Sequence, residues 1–128
     1  MSIKSEYAKK ILSGEKKVEI RKIFSKKLRG SKIYIYVSRP ERSLVGEVVI
    51  KEVVYDKPEN VWQKFSDQIG CTKEQFDKYT ESKKKVYAIV LQEAAAYRKS
   101  VSIREISDLV KENLRPPQNY YNLQNSPK

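Results

Sequence analysis

The stretch that decides the fold is Gly14-Glu15-Lys16-Lys17-Val18-Glu19-Ile20-Arg21. Apolar residues upstream recur at helical spacing, and Gly14 stands where a helix commonly ends in a left-handed residue. Downstream, Val18 and Ile20 alternate with charged residues, which is typical of a strand. The pattern therefore predicts a helix, a tight turn and a strand on which Glu19 and Arg21 share one face, with Lys16 at the turn.

That charged face has two interpretations. Charges on the solvent side of a half-buried strand are ordinary, since a strand that covers a core turns its other face to water. The same three side chains could instead converge on a pocket. The spacing of the residues leaves both possibilities open.

The run Gly14-x-Lys16-x-x-Glu19-x-Arg21 after a short helix resembles the signature of ASCH domains, which belong to the PUA-like superfamily. The resemblance implies a small mixed β-barrel that holds RNA or modified nucleobases in a cleft, and it makes Lys16, Glu19 and Arg21 cleft residues. The order of predicted elements also indicates an α+β barrel of five to six strands, flanked by short helices, with a C-terminal helix and tail packed on it.

The composition predicts one globular domain. A chain of 128 residues is long enough for one core. We assign residues 1–123 to a single ASCH-like domain and expect residues 124–128 to be a disordered tail. Because the sequence shows no long apolar run and no signal-peptide core, we expect a cytoplasmic protein that does not enter a membrane and is monomeric.

Cysteine and histidine usage narrows the possible chemistry. Cys71 is the only cysteine and the chain has no histidine. A Ser-His-Asp triad, a Cys-His dyad and the usual Cys/His zinc site are therefore excluded. We expect no metal and no cofactor, and we interpret Cys71 as a part-buried small residue rather than a nucleophile.

The charge distribution favours an anionic partner. The formal net charge is +11, and basic residues far outnumber acidic ones between residues 9 and 32. Such segregation suits RNA or another nucleic acid, although a basic surface can also serve solubility alone. The exposed loop at residues 24–31 and the end of the strand predicted over residues 17–23 supply the candidate phosphate contacts, Lys22, Lys26, Lys27 and Arg29.

The middle of the chain alternates between strands and helices. Residues 32–38 predict a strand with tyrosines on one side, which either pack in the wall or stack with bases, and Ser38 and Arg39 at its end are candidate cleft residues. Gly46 in the next strand suggests a bulge or a close backbone approach. Thr72 predicts a capping box for a helix that carries Phe76 and Tyr79 inward. Residues 86–91 predict a central strand, and residues 97–99 a further extended segment.

The C-terminal part predicts a helix that starts near Ser102 and ends at Arg115-Pro116-Pro117. The residues that follow resemble the tail of longer ASCH-type proteins, which implies that Gln118 and Tyr120 help to wall the cleft. The alternative is that this tail is a strap that covers apolar surface.

Three functions remain open at this point. The first is a module that binds RNA, another nucleic acid or a modified nucleoside. The second is a small hydrolase of the acetylcytidine amidohydrolase or ribonuclease type, with Lys16 and Glu19 as catalytic residues; in the amidohydrolases, which the signature resembles, a threonine stands at the position of Glu19. A Lys16–Glu19 ion pair that only orders the cleft is equally compatible. The third is a regulatory domain that binds a protein partner.

Overall fold

The computed structural model describes residues 1–38 and 42–102. The elements in chain order are β1 (Ser2–Ile3), α1 (Ser5–Ser13), β2 (Val18–Arg21), a 3-10 turn (Lys26–Leu28), β3 (Lys32–Val37), β4 (Ser43–Asp56), α2 (Pro58–Phe65), α3 (Lys73–Thr80) and β5 (Val86–Ser102). The C-terminal helix and tail predicted from the sequence lie outside the described residues.

In the described part of the chain, five strands form one mixed sheet in the order β1-β3-β4-β5-β2. The β1–β3 pair is parallel, and the other three pairs are antiparallel. The α+β class is therefore confirmed. Closure into a barrel is not confirmed, because β1 and β2 are the two edges and no backbone ladder joins them. A side chain connects them instead: Arg21 Nη2 on β2 donates to the Ser2 carbonyl oxygen on β1, at 2.6 Å.

The long strands β4 and β5 are irregular where they approach α1. Their register shifts at three places, and Glu93 in β5 has a positive φ of 52°. A Cβ built on Gly46 would lie 2.6 Å from the Ala95 carbonyl oxygen and 2.6 Å from Leu12 Cδ2. The predicted close approach at Gly46 is thus confirmed. The segment at residues 97–99 is not separate, as it continues β5 without a break.

The sheet is covered on both faces, and this fixes the environment of β2. Val18 and Ile20 belong to the core formed with α2 and α3. The opposite face packs against α1 through a second core that includes Ile11 and Ile89. Glu19 pairs in register with Ile89, so its side chain points to this α1 side. The charged face of β2 is therefore enclosed and does not lie open to water.

The end of α1 and the start of α3 agree with the sequence predictions. Gly14 has φ +88° and closes α1, as predicted. Thr72 and Gln75 form the predicted capping box of α3. The expected inward direction is right for Phe76, which is buried, and wrong for Tyr79, which is 41% exposed. None of the helices in the described segments combines the length and apolar character needed to span a bilayer.

Candidate functional site

Three charged side chains converge beside β2. Lys16 Nζ lies 3.2 Å from Glu19 Oε1, and Arg21 Nη2 lies 3.1 Å from Glu19 Oε2. Lys16 is 4% exposed and Glu19 is 8% exposed. The carboxylate is therefore held between two cations in a region with little water, where removal of one member leaves a buried charge without its partner.

Lys16 is fully engaged by its surroundings. Besides the Glu19 carboxylate, its ammonium group donates to the carbonyl oxygens of Val18, at 2.9 Å, and of Ile69. An ammonium group has three protons and no lone pair, so these three acceptors use its whole bonding capacity. In this arrangement Lys16 ties the start of β2 to the loop after α2.

The loop after α2 shapes this corner of the site. The backbone carbonyl oxygen of Gln68 accepts hydrogen bonds from the backbone N–H groups of Lys17 and Val18, at 2.8 and 3.0 Å. Gly70 follows with φ +78°, and its carbonyl oxygen accepts from Lys10 Nζ at 3.0 Å. A Cβ built on Gly70 would lie 3.1 Å from the Cβ of Lys16. The absence of a side chain at Gly70 therefore leaves room for the lysine stem.

We expect Gly70→Ala to be more destabilising than Gly14→Ala. Both glycines have positive φ, but a Cβ on Gly14 would meet nothing within 4 Å. The left-handed backbone alone should cost about 1–2 kcal/mol at each position, and crowding against Lys16 should add about 1 kcal/mol or more at Gly70. Urea unfolding of the two variants measures the difference. Equal midpoints would show that the lysine stem moves aside without cost.

The three charges lie at one wall of a pocket with a volume of about 240 Å³. We call it the β2 pocket; its lining residues are Ser2, Ile3, Lys4, Tyr7, Lys16, Glu19, Ile20, Arg21, Ile69, Cys71, Gln75, Phe76 and Tyr79. The pocket lies between α1, β2 and α3. Its aromatic rings come from Tyr7 on α1 and from Phe76 and Tyr79 on α3. One wall is thus ionic while two others are aromatic.

Arg21 carries a donor that no described residue uses. Its Nη2 donates to Ser2 and pairs with Glu19. Its Nε is buried and has no hydrogen-bond partner among residues 1–38 and 42–102. A buried guanidinium N–H without an acceptor is costly, and such groups call for an explanation. An acceptor atom on a ligand in the β2 pocket would satisfy it.

One thiol and two phenol groups of the pocket are neutral at ordinary pH. Burial raises the pKa of the Cys71 thiol and the pKa values of the Tyr7 and Tyr79 hydroxyls. These side chains therefore keep their protons near pH 7, and the thiol is a poor nucleophile. Within residues 1–38 and 42–102, no three His, Cys, Asp or Glu side chains gather into a possible metal site.

The other predicted site residues lie in different places. Ser38 follows β3, is exposed, and does not line the β2 pocket. Arg39, Gln118 and Tyr120 lie outside the described residues. Their assignment to the cleft remains a prediction.

Among the candidate phosphate contacts, Lys22 lies at the pocket rim, with its Nζ 4.6 Å from the Tyr79 ring centroid. Lys26 and Lys27 are exposed on the 3-10 turn, which is anchored by the buried side chains of Phe24 and Leu28. Arg29 Nε lies 3.4 Å from Glu52 Oε1 in an exposed ion pair.

Sequence reasoning missed Tyr7, Cys71 and Gln75 as pocket residues. Tyr7 precedes Ile11 by four positions, which marked it only as a member of the apolar face of α1. Its ring centroid lies 5.3 Å from Lys16 Nζ. A tyrosine at the edge of an amphipathic face, close in sequence to a buried lysine, was the available signal for Tyr7. Cys71, on the loop after α2, and Gln75, in the first turn of α3, carried no signal as pocket residues, because long-range packing sets where these two segments lie.

The chain matches known proteins over most of its length. Residues 1–111 match the family described as "Domain of unknown function (DUF365)". An ASCH domain-containing ribonuclease of Zymomonas mobilis is 26% identical over 118 residues, which cover 92% of this chain and 78% of that protein. The crystal structure of ASCH from Zymomonas mobilis superposes with a TM-score of 0.87 at 26% identity, covering 98% of this chain and 86% of that one.

A ribosomal protein matches a smaller part. The large ribosomal subunit protein uL22 of Ureaplasma parvum serovar 3 is 31% identical over 74 residues, which cover 58% of this chain and 24% of that protein. The family match and the structural match extend over far more of the fold, including β2 and the pocket beside it. The chain therefore belongs to the DUF365 family and is an ASCH-domain protein.

Proposed function

We propose that the protein binds RNA by taking one base into the β2 pocket. The observation that carries this proposal is the buried Nε of Arg21, which has no partner in the part of the chain that the structure describes, in a pocket with aromatic walls. Two further observations support it. The Zymomonas mobilis relative is named a ribonuclease, and the net charge of +11 suits a polyanionic partner.

The size of the pocket favours a single base. Its volume of about 240 Å³ lies below the range of roughly 300–1,000 Å³ that is common for drug-sized ligands. Sequence-selective RNA binding commonly uses an unstacked base between aromatic rings. The rings of Tyr7 and Tyr79 offer such faces, while the ribose and phosphates would remain outside.

The ionic wall offers complementary hydrogen bonds. Arg21 Nε is a donor for a base carbonyl oxygen. Each Glu19 carboxylate oxygen already pairs with one cation, yet a carboxylate has about four acceptor sites, so Glu19 can also accept from a base amino group. A base edge with an amino group and a carbonyl is the ligand chemistry that this wall fits.

The phosphates would be held by lysines around the pocket. Lys22 is closest to the rim through its contact with Tyr79. Lys26 and Lys27 are exposed and can follow a flexible backbone without reading its sequence. To bind a phosphate, Arg29 would have to break its exposed ion pair with Glu52. Breaking an exposed ion pair costs little free energy.

Replacing Arg21 with lysine should lower the affinity for a short single-stranded RNA by about 10- to 100-fold. Lysine keeps the positive charge but removes the Nε donor, and a hydrogen bond to a charged group contributes about 1.5–3 kcal/mol. Fluorescence polarisation with labelled RNA at fixed salt measures the change. Arg29→Lys, at an exposed position, is the matched control and should change the affinity less than threefold.

Cys71 provides an independent readout in the unmodified protein. It is the only cysteine and lines the pocket. A nucleotide in the pocket should slow its reaction with a thiol reagent, and Arg21→Lys should weaken this protection. RNA binding without protection of Cys71, together with full affinity in Arg21→Lys, would place the binding elsewhere on the molecule.

A hydrolase is the second candidate, and the name of the Zymomonas mobilis relative favours it. The contacts of Lys16 argue against its use as a general base, because all three of its protons are donated to acceptors. In a hydrolase Lys16 would therefore hold Glu19 in place. Incubation with labelled RNA and with N4-acetylcytidine tests for turnover, and comparison of Glu19→Gln with the wild type tests the role of the carboxylate.

A further inference from the structure

We propose that the sheet carries a second RNA-binding element, a stacking surface formed by Tyr87 and Tyr55, that leads from the β2 pocket and holds the bases next to the one in the pocket. We call it the Tyr55–Tyr87 track. The proposal rests on the proposed function and specifies its partner: a single-stranded RNA of several nucleotides rather than a free nucleoside.

The register of three strands places this track beside the pocket. Arg21 on β2 pairs with Tyr87 on β5, and Tyr87 pairs with Tyr55 on β4. Residues directly opposite each other in an antiparallel pair project from the same face. Neighbouring strands lie about 4.8 Å apart, so the row extends roughly 10 Å across the sheet from the pocket wall.

The two rings form one extended aromatic surface. Their centroids lie 4.4 Å apart with an interplanar angle of 29°, which is a stacked arrangement. Tyr87 packs against the core on the α1 side, while Tyr55 is 43% exposed. A ring that is fixed by a buried neighbour and open to solvent can stack with a base at a small entropic cost.

Positive charge lies at both ends of the track. At the pocket end, Arg21 carries the charge on the face of the track, and Lys22 adds a charge at the pocket rim on the α3 side, with its Nζ 4.6 Å from the Tyr79 ring centroid. Lys85 Nζ lies 5.6 Å from the Tyr55 ring centroid at the far end. The acidic neighbour Asp56 is the next residue of β4, and its charge interacts with that of Lys85, but its carboxylate is engaged at the start of α2. There it accepts from Lys57 N and Asn60 Nδ2, at 2.7 and 3.0 Å.

This combination of groups identifies single-stranded RNA as the occupant. Stacking on an aromatic side chain contributes about 1–3 kcal/mol per base and does not depend strongly on sequence. Lysines that flank the rings match the phosphates between successive bases. A duplex would keep its bases stacked inside and could not use the rings in this way.

The test measures affinity as a function of RNA length. Pyrimidine oligonucleotides of two to six residues are titrated by fluorescence polarisation, and a mononucleotide is titrated through protection of Cys71. In the wild type, affinity should rise over the first few nucleotides. Tyr55→Ala should lower the affinity for the hexamer by about 5- to 100-fold and leave mononucleotide binding unchanged, whereas Tyr55→Phe should retain wild-type affinity.

A second pair of variants tests the charges. Lys85→Ala should weaken hexamer binding and reduce its salt dependence. Lys64→Ala removes an exposed charge on α2, which packs on the opposite face of the sheet. This variant should change neither the affinity for the hexamer nor its salt dependence. The cross-strand pair also stabilises the sheet by up to about 1 kcal/mol, but that role would not produce a dependence on RNA length.

The outcomes separate the two proposals. Unchanged hexamer affinity in Tyr55→Ala, or an equal loss for mononucleotide and hexamer, would overturn the track. A mononucleotide that binds Arg21→Lys as well as it binds the wild type would overturn the pocket. In that case a length-dependent loss in Tyr55→Ala would still support the track as an RNA-binding surface.

Discussion

Replacing Lys16 with alanine is expected to lower the free energy of unfolding by about 3–5 kcal/mol, the range observed when one partner of a buried ion pair is removed. The substitution leaves the Glu19 carboxylate with one cation instead of two. It also removes the donor that the Val18 and Ile69 carbonyl oxygens share, and it opens a void beside Gly70 where the lysine stem packs.

Urea unfolding of the wild type and Lys16→Ala measures this loss as a shift in the midpoint at constant slope. Lys17→Ala is the matched control, because Lys17 is the exposed neighbour and should change stability by less than about 0.5 kcal/mol. Similar midpoints for both variants would mean that Lys16 makes no net contribution to folding.

This expectation changes how an activity assay at Lys16 should be interpreted. Loss of RNA binding or of hydrolysis in Lys16→Ala would be ambiguous, since a partly unfolded protein also loses both. Variants that leave the buried ion pairs in place, such as Tyr55→Ala or Lys85→Ala, report on the surface more directly. For the pocket, Arg21→Lys keeps the charge that faces Glu19.

Glu19→Ala is expected to be as damaging as Lys16→Ala, with a loss of about 3–5 kcal/mol. It leaves two cations, Lys16 and Arg21, close together in a poorly hydrated site with no anion between them. The double variant Lys16→Ala/Glu19→Ala should be more stable than the sum of the two losses predicts, by about 1–3 kcal/mol. A double-mutant cycle by urea unfolding gives this coupling energy.

The exposed pair of Arg29 and Glu52 is the control for this experiment. Both side chains are well hydrated, at 65% and 44% exposed, so Glu52→Ala should cost less than about 1 kcal/mol. A loss at Glu19 no larger than the loss at Glu52 would contradict the buried character of the triad. Additive effects of Lys16→Ala and Glu19→Ala would contradict their direct interaction.

The sequence predicted β2 and its two faces well, because alternation of apolar and charged residues is a local property. Val18 and Ile20 lie in one core, and Glu19 and Arg21 lie on the other side. The burial of the charged face was not predictable from alternation, since it results from α1 packing over that face of the sheet. The Lys16–Glu19 ion pair, one of the alternatives left open, is present at 3.2 Å.

The pocket was harder to predict than the strand. Its walls come from α1, β2, α3 and the loop after α2, and their meeting is set by long-range packing. The outward position of Tyr79 shows the difficulty, because helical periodicity placed it with Phe76 while the structure leaves it at the rim beside Lys22. The barrel was expected from the family resemblance and from the number and order of strands, and neither shows that the edge strands meet.

The hydrogen bond from Arg21 to the Ser2 carbonyl oxygen also bears on solubility. The outer strands of a sheet expose backbone groups that can recruit strands from other molecules and so begin aggregation. Here a carbonyl oxygen of the edge strand β1 already accepts from an arginine of the other edge strand, β2. This makes β1 a poor template for a strand of a neighbouring molecule. The guanidinium that we assign to ligand recognition thus also covers a backbone acceptor that an edge strand would otherwise offer to another molecule.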